Sequence, residues 1–538
     1  MEIKEMFPQE DWPELRPVPG VNYPEFLNAS VELLDENLNR GRGDRVAIWH
    51  GSESVTYAQL LQRVEGFTTS LAKAGIQQGD RIILRLMNTP EFVVAWLSIL
   101  RLGAVAVATM PLLRARELKA VLADSGASLA ICQDSLLEEL EKAREDFPHL
   151  PVVVAGSPRS KGHLSFQEWL EAKPVVAPAH TRAEDIALLA YTSGSTGIPK
   201  GTIHCHRDLL AVADTYSKHV LHPSQDDVFG GHPTLAFVYG LGGLLLFPFR
   251  VGASTAFIDG FTPEIMLKAT REFGITILFC APTSYKMMMR DYGEKLAEFL
   301  PQLRICVSAG EALPGSVFNE WRQLTGVTIL DGIGSTEMLH IVISNFLEDA
   351  RPNCTGKVVP GYEAKIVDAD LNEVPPGTEG LLAVRGPTGC RYWNRPQLQK
   401  EYVRGGWNFT GDVFQEDADG YFRYSCRCDD MIICGGINIA GPEVENVLIH
   451  HPAVQEVAVV ASPDALKTFV PKAFVVLTEG YSPGETLARE LQDFTKSEIA
   501  PYKYPRKVEF VETLPRTSTG KIRRVELREK EIAHKGSI

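Results

Sequence analysis

No disulfide framework, membrane-length apolar run or basic nucleic-acid face can be read from this chain. Its nine cysteines are odd in number and scattered over 538 residues, which suits reduced thiols rather than a cross-linked scaffold. Cys426, Cys428 and Cys434 come nearest to a cluster, but this spacing without a second pair is a poor zinc pattern. The apolar stretches Phe92 to Met110 and Leu235 to Phe249 are interrupted by Arg101 and by glycines and Pro248. Buried core is therefore expected and a membrane span is not. The opening residues, Met-Glu-Ile-Lys-Glu-Met, lack a basic region followed by an apolar core, so the cytoplasm is the expected compartment. Net charge is −14 and basic residues are dense only in the C-terminal tail, so no nucleic-acid partner is expected. There is no fixed-period repeat and no low-complexity tract.

What is present is apolar content of 44% spread over a length that calls for at least two domains. From about residue 45 to 390, short apolar runs alternate with amphipathic segments, the pattern of α/β layers with mainly parallel sheets. Arg81 to Leu86 before a helix at Glu91 to Leu102, and Ile275 to Cys280 before Pro282, are examples. Composition breaks at Asp417-Ala418-Asp419-Gly420 and again at Cys434-Gly435-Gly436. Beyond, Pro442 to His451 and Glu485 to Ile499 read as helices, and Val454 to Ala461 and Ala473 to Leu477 as strands, giving a small α+β domain. Residues 1 to about 40 carry no motif.

The richest segment is Tyr191-Thr192-Ser193-Gly194-Ser195-Thr196-Gly197-Ile198-Pro199-Lys200-Gly201. Its glycines let backbone N–H groups point inward, its hydroxyls add donors and Lys200 adds a mobile positive charge, which together suit a polyphosphate. It is not the P-loop of kinases: counted from Gly194, Pro199 stands where the second glycine belongs and Gly201 where a hydroxyl belongs.

A second constellation, Asp331-Gly332-Ile333-Gly334-Ser335-Thr336-Glu337, sets a hydroxyl and a carboxylate after a glycine-rich turn. Glu337 could hold Mg²⁺ against phosphate oxygens, since that ion needs only one or two carboxylates, and Thr336 could donate to the α-phosphate. Taken alone, the segment reads as well as a helix N-terminus.

In this order the motifs resemble those of the adenylate-forming superfamily, which includes acyl-CoA and aryl-CoA ligases, luciferases and the adenylation domains of peptide synthetases. The resemblance runs from Thr56-Tyr57 to Lys521. It implies an α/β fold with a large layered N-terminal domain (1–428) and a small mobile α+β C-terminal domain (429–538), pivoting at Asp429. It implies that Thr192, Ser193, Gly194, Ser195, Thr196 and Gly197 cradle phosphates. Ser308 to Pro314, with Gly310, Glu311 and Ala312, packs along the adenine, with Asp331 and Gly332 beside it. Asp412, in Thr410-Gly411-Asp412, accepts from the ribose hydroxyls, and Arg427 also contacts ribose. Lys521, in the loop from Pro515 to Arg523, reaches the substrate carboxylate and the α-phosphate. Gly435 and Gly436 line the pantetheine channel. Cys426, Asn438 and Gly441-Pro442 depart from the superfamily's usual residues.

For the acid, Phe237 stands where many acyl-activating members carry histidine. With Tyr239, Gly240, Ile333, His340 and Ile341 it suggests a flat apolar slot with polar groups at its edge, suited to a ring. The pairing of Tyr239-Gly240-Leu241-Gly242 with Asp331 to Ile341 is most similar to benzoate-CoA and 2-aminobenzoate-CoA ligases. Asn438 to Pro442 tilts toward the aminobenzoate branch. The expected activity joins an aromatic acid to coenzyme A at the expense of ATP, with Mg²⁺, through an acyl-adenylate. The rivals are a medium-chain acyl-CoA synthetase, an enzyme loading a carrier protein, and a catalytically silent nucleotide-binding homologue. The partner expected is a small aromatic acid, and a homodimer is compatible with the sequence.

Overall fold

A computed structural model describes residues 8–535 except 158–161, 194–198, 261, 312, 369, 428–430, 516–521 and 523. Two mainly parallel sheets form the layers of the large domain. In the first, Leu129–Gln133, Arg81–Arg85, Val105–Ala108 and Ile186–Ser193 run parallel, and only Pro199–Cys205 turns back antiparallel at the edge. In the second, Val46–His50, Ser254–Phe257, Val228–Gly231, Ile277–Cys280, Ile305–Ser308 and Ile329–Gly334 run parallel, flanked by antiparallel strands at both edges. Helices cover them because the strands are apolar on both faces, as parallel strands must be. The helix Pro90–Arg101 is buried along nearly its whole length.

A third sheet was not anticipated. Glu363–Val367, Glu379–Arg385, Trp407–Glu416 and Phe422–Arg427 pair antiparallel. The break read at Asp417 to Gly420 is the hairpin turn inside this sheet: Asp417 N–H donates to Tyr421 O at 2.9 Å and Gly420 N–H to Asp417 O at 3.0 Å. The N-terminal segment without a motif is an arm along this sheet, with Glu14 N–H donating to Gly406 O at 2.8 Å and Arg16 N–H to Gly386 O at 2.9 Å.

The small domain has its own five-stranded sheet and core. Met431–Cys434, Ile437–Ala440, Val454–Asp464 and Thr468–Leu477 pair antiparallel and Lys507–Phe510 adds in parallel. Val459 and Val475 of the sheet, with Val444 of the helix Gly441–Leu448 and Leu491 of the helix Glu485–Glu498, are buried in one core. The chain leaves the third sheet at Arg427 and enters the fourth at Met431. Asp429 lies between them, outside the described residues.

Candidate active site

The two ends of the Tyr191 to Gly201 segment lie on the paired edge strands Ile186–Ser193 and Pro199–Cys205. Register places Tyr191 opposite Gly201, Thr192 opposite Lys200 and Ser193 opposite Pro199, so Lys200 is carried at the mouth of the turn. Gly194, Ser195, Thr196 and Gly197 are outside the described residues. Below them, Tyr191 anchors the hairpin by donating to Asp124 Oδ2 at 2.7 Å. Thr192 Oγ1 is buried with no hydrogen-bond partner among the described residues.

The second constellation is not a helix N-terminus. The strand Ile329–Gly334 runs into tight turns, with Met338 N–H donating to Ser335 O at 3.2 Å and Leu339 N–H to Thr336 O at 3.1 Å, before Ile341–Ser344 returns antiparallel. Leu339 takes a left-handed φ of 71° to close the turn. His204 Nε2 lies 2.8 Å from Thr336 O. Burial lowers the His204 pKa to about 4, so a neutral imidazole donates there and fixes the Thr336 backbone.

Glu337, 7% exposed, meets Lys200 at 3.5 Å. Between them stands a residue that the motifs do not contain, Tyr392. Its hydroxyl donates to Glu337 Oε1 at 2.5 Å and accepts from Lys200 Nζ at 2.9 Å, and Lys200 Nζ lies 4.9 Å from the ring centroid. Burial and the Glu337 charge hold the phenol pKa well above its ordinary value, so Tyr392 stays a donor. Gln399, buried, accepts from Tyr392 N–H at 2.9 Å. Nothing in local sequence marks Tyr392, because the chain brings it to Glu337 from 55 residues away.

No group of three or more His, Cys, Asp or Glu able to hold a metal occurs among the described residues. A single buried carboxylate beside a phosphate site nevertheless fits Mg²⁺, which takes most of its oxygens from phosphates and water. Glu337 would be the protein ligand.

Near this cluster opens a cleft lined by Gly310, Glu311, Asp331, Gly332, Asp412 and Gly436, all singled out in the sequence as nucleotide- or CoA-side residues. Ile333, assigned to the acid slot, lines it as well, as do Thr355, Phe414, Tyr424 and Ile433, which sequence reasoning missed. Phe414 was legible in principle: it follows Asp412 by two on one strand and therefore shares its face, and Tyr424 is its cross-strand partner. Asp412 and Arg427 are direct register partners, so the two residues expected at ribose stand opposite each other. Burial raises the Asp331 pKa well above the usual carboxylate range. Ala312 and Lys521 are outside the described residues.

Gly435 and Gly436, with φ of 58° and 77°, form the two-residue turn of the hairpin between Cys434 and Ile437, where positive φ at both positions suits the twist of the strands. This turn sits against the expected adenine loop. A Cβ on Gly310 would lie 3.2 Å from Gly436 O. Gly436 N–H donates to Glu311 Oε1 at 2.6 Å, and Thr283 donates to Glu311 Oε2 at 3.3 Å. The Glu311 carboxylate is thus engaged with the small domain, and burial raises its pKa to about 7.

On the acid side, Tyr239, His340 and Ile341 come together around the helix that begins at Val238. The Tyr239 hydroxyl donates to Cys280 O and Val307 O at 3.2 and 3.1 Å, which fixes its ring 5.8 Å from the His340 ring. Ile341 packs on Gly332, where an added Cβ would approach its Cγ2 to 2.8 Å. Gly240 leaves room for Thr234 O, and Gly242 for His340 Cδ2, at 2.2 and 2.3 Å from their missing Cβ positions. His340 is not a polar group at the edge of a slot, as the sequence suggested. It is 3% exposed, wedged among Tyr216, Tyr239 and Phe247, and burial lowers its pKa to about 3. Phe237 is half-buried, and its carbonyl accepts the first bond of the helix from Leu241 N–H at 2.8 Å.

A layered α/β body with an edge hairpin carrying Lys200, a Lys–Tyr–Glu cluster whose Tyr and Glu are buried and a cleft partly closed by a second domain is the framework of an enzyme that handles a nucleotide. The chain belongs to the AMP-binding enzyme family: a profile described as "AMP-binding enzyme" matches residues 34–393, and one described as "AMP-binding enzyme C-terminal domain" matches 443–521. Within that family it is an acid–thiol ligase. It is 38% identical to benzoate--CoA ligase of Thauera aromatica, covering 95% of this chain and 97% of the relative. Among solved structures it is similar to the anthranilate CoA ligase AuaEII in complex with anthranoyl-AMP (TM-score 0.73, 37% identity, 95% and 98% of the two chains). A benzoate CoA ligase from Burkholderia xenovorans LB400 is also similar (TM-score 0.71, 35%, 93% and 100%). Among the described residues no helix is long and apolar enough to cross a membrane.

Proposed function

We propose that the protein activates an aromatic carboxylic acid of the benzoate or 2-aminobenzoate type with ATP and transfers it to coenzyme A. The observation that carries this reading is the convergence of Lys200, Tyr392 and Glu337 together with a cleft lined by Gly310, Glu311, Asp331 and Asp412; the packed pair Tyr239 and His340 is assigned to the aromatic wall of the acid slot. The naming of its relatives as benzoate and anthranilate ligases supports the choice of acid.

In the first step an oxygen of the acid attacks the α-phosphorus of ATP and pyrophosphate leaves, giving an acyl-adenylate. Lys200 exchanges its contacts with Tyr392 and Glu337 for phosphate oxygens, and Lys521 neutralises charge that develops at the α-phosphate. Glu337 would hold Mg²⁺, which when bound would supply charge neutralisation on the phosphates. Asp412 and Arg427 hold the ribose, and the hairpin from Thr192 to Gly197 holds the phosphates. In the second step the small domain, turned about Asp429, presents the Gly435-Gly436 turn to the cleft, and the CoA thiolate attacks the acyl carbon and expels AMP. The contact of Gly436 with Gly310 and Glu311 has the character expected of this second arrangement.

Incubation with ATP, Mg²⁺, CoA and 2-aminobenzoate tests the reading by mass spectrometry: aryl-CoA, AMP and pyrophosphate should appear in equal amounts. Pyrophosphate and AMP without a thioester would point to a different acceptor.

A further inference from the structure

Far from the nucleotide, a buried ion cluster joins the two domains. Glu117 lies in the first turn of the helix Ala115–Ser125 of the large domain, and Lys503 and Glu443 belong to the small one. Lys503 Nζ contacts Glu117 Oε1 and Glu443 Oε1, each at 2.6 Å. All three side chains are less than one-tenth exposed, at 6%, 4% and 9% respectively. Glu117 Oε2 accepts Ala500 N–H of the small domain at 3.0 Å as well as Arg114 N–H at its own helix start at 2.9 Å.

The arrangement is asymmetric. If the small domain turned away, Lys503 would keep Glu443 and Glu117 would keep the Arg114 N–H, but both interdomain contacts of Glu117 would be lost. These contacts therefore favour one domain orientation over every other, and only such differential interaction can shift a conformational equilibrium. It is the same orientation that brings Gly436 within hydrogen-bonding distance of Glu311. Against the opposing effect of burial, the Glu443 and Glu117 carboxylates hold Lys503 well above its ordinary pKa, so the cluster retains its cation.

We propose that Glu117 is a positioning residue for the thioester-forming step: it latches the small domain, through Lys503 and Ala500, in the orientation that presents the Gly435-Gly436 turn to the cleft. The latch rests on the two-step reading above but is separable from it. It touches neither substrate nor nucleotide and acts only on domain orientation.

The test compares Glu117→Gln, which keeps the size and one acceptor but removes the charge, with Glu443→Gln, which leaves the interdomain pair intact. Single-turnover thioester formation from preformed adenylate is measured beside ATP–pyrophosphate exchange without CoA, and small-angle scattering of the substrate-free protein reports domain orientation. Glu117→Gln should slow thioester formation roughly 10-fold, in the usual range for conformational coupling, while exchange stays within about twofold and scattering shifts toward a more open shape. Glu443→Gln should lose much less in the thioester step. Equal loss in both half-reactions, equal loss in both variants, or unchanged thioester formation with unchanged scattering would overturn the latch. If the wild type activates no acid, the functional reading fails, and scattering alone still decides whether Glu117 sets the domain orientation.

Discussion

The Tyr392 hydroxyl donates to Glu337 Oε1 at 2.5 Å while accepting from Lys200 Nζ at 2.9 Å, so one phenol holds the proposed metal carboxylate and the phosphate-loop lysine in register. Hydrogen bonds to charged groups are worth about 1.5–3 kcal/mol. Tyr392→Phe should therefore reduce acid-dependent ATP–pyrophosphate exchange roughly 10- to 100-fold and raise the Mg²⁺ and ATP concentrations required. Thioester formation from supplied adenylate should change little. Unaltered nucleotide dependence would remove Tyr392 from the site.

Lys521→Ala should lower adenylation by roughly 100- to 1000-fold, the cost of deleting one transition-state donor. Thioester formation from supplied adenylate should be spared. Rapid-quench measurement of the two half-reactions checks this, and an equal fall in both would contradict the exchange of domain orientations.

Gly242 faces the His340 ring, and an added methyl would lie 2.3 Å from Cδ2. Gly242→Ala should displace the imidazole at a cost of about 1–3 kcal/mol, the usual range for overpacking, seen as a lower Tm. Because His340 packs against Tyr239, KM for the aromatic acid should rise more than KM for ATP. Equal changes in both would place His340 outside the acid wall.

Burial raises the Glu311 pKa from 4.5 to about 7, outweighing the hydrogen bonds from Gly436 N–H and Thr283 and the charges of Lys286 and Lys467, which all pull it down. When the small domain turns away and water reaches the carboxyl, the pKa should fall back toward its ordinary value. The docked form then binds the extra proton between these values, so docking weakens as pH rises from about 4.5 to about 7 and is level above that. Dye pairs on the two domains, read by energy transfer across this range, should show the trend in the wild type. Glu311→Gln should flatten it.

The sequence disclosed what is contiguous. Alternating apolar runs announced the parallel layers, and motifs of several consecutive residues located Lys200, Glu337, Asp412 and Gly436, because short-range chemistry needs those residue types side by side. What escaped was built by register and long-range packing. Tyr392 reaches Glu337 across 55 positions, and Glu117 meets Lys503 across 386. The antiparallel sheet around Trp407–Glu416 escaped because it is built by register between segments that no local motif marks. His340 was misjudged in exposure, since a histidine following the Ser335-Thr336-Glu337 motif reads as polar until the burial of its ring by Tyr216 and Phe247 is seen.

Acid-dependent pyrophosphate release from ATP in the presence of CoA, with 2-aminobenzoate, benzoate and octanoate offered in parallel, tests the central claim most directly. The account predicts that an aromatic acid is preferred, and the better of the two identifies the branch. Preference for octanoate would contradict the aromatic wall while leaving the adenylation chemistry intact, and no release with any of the three would contradict the proposed activity itself.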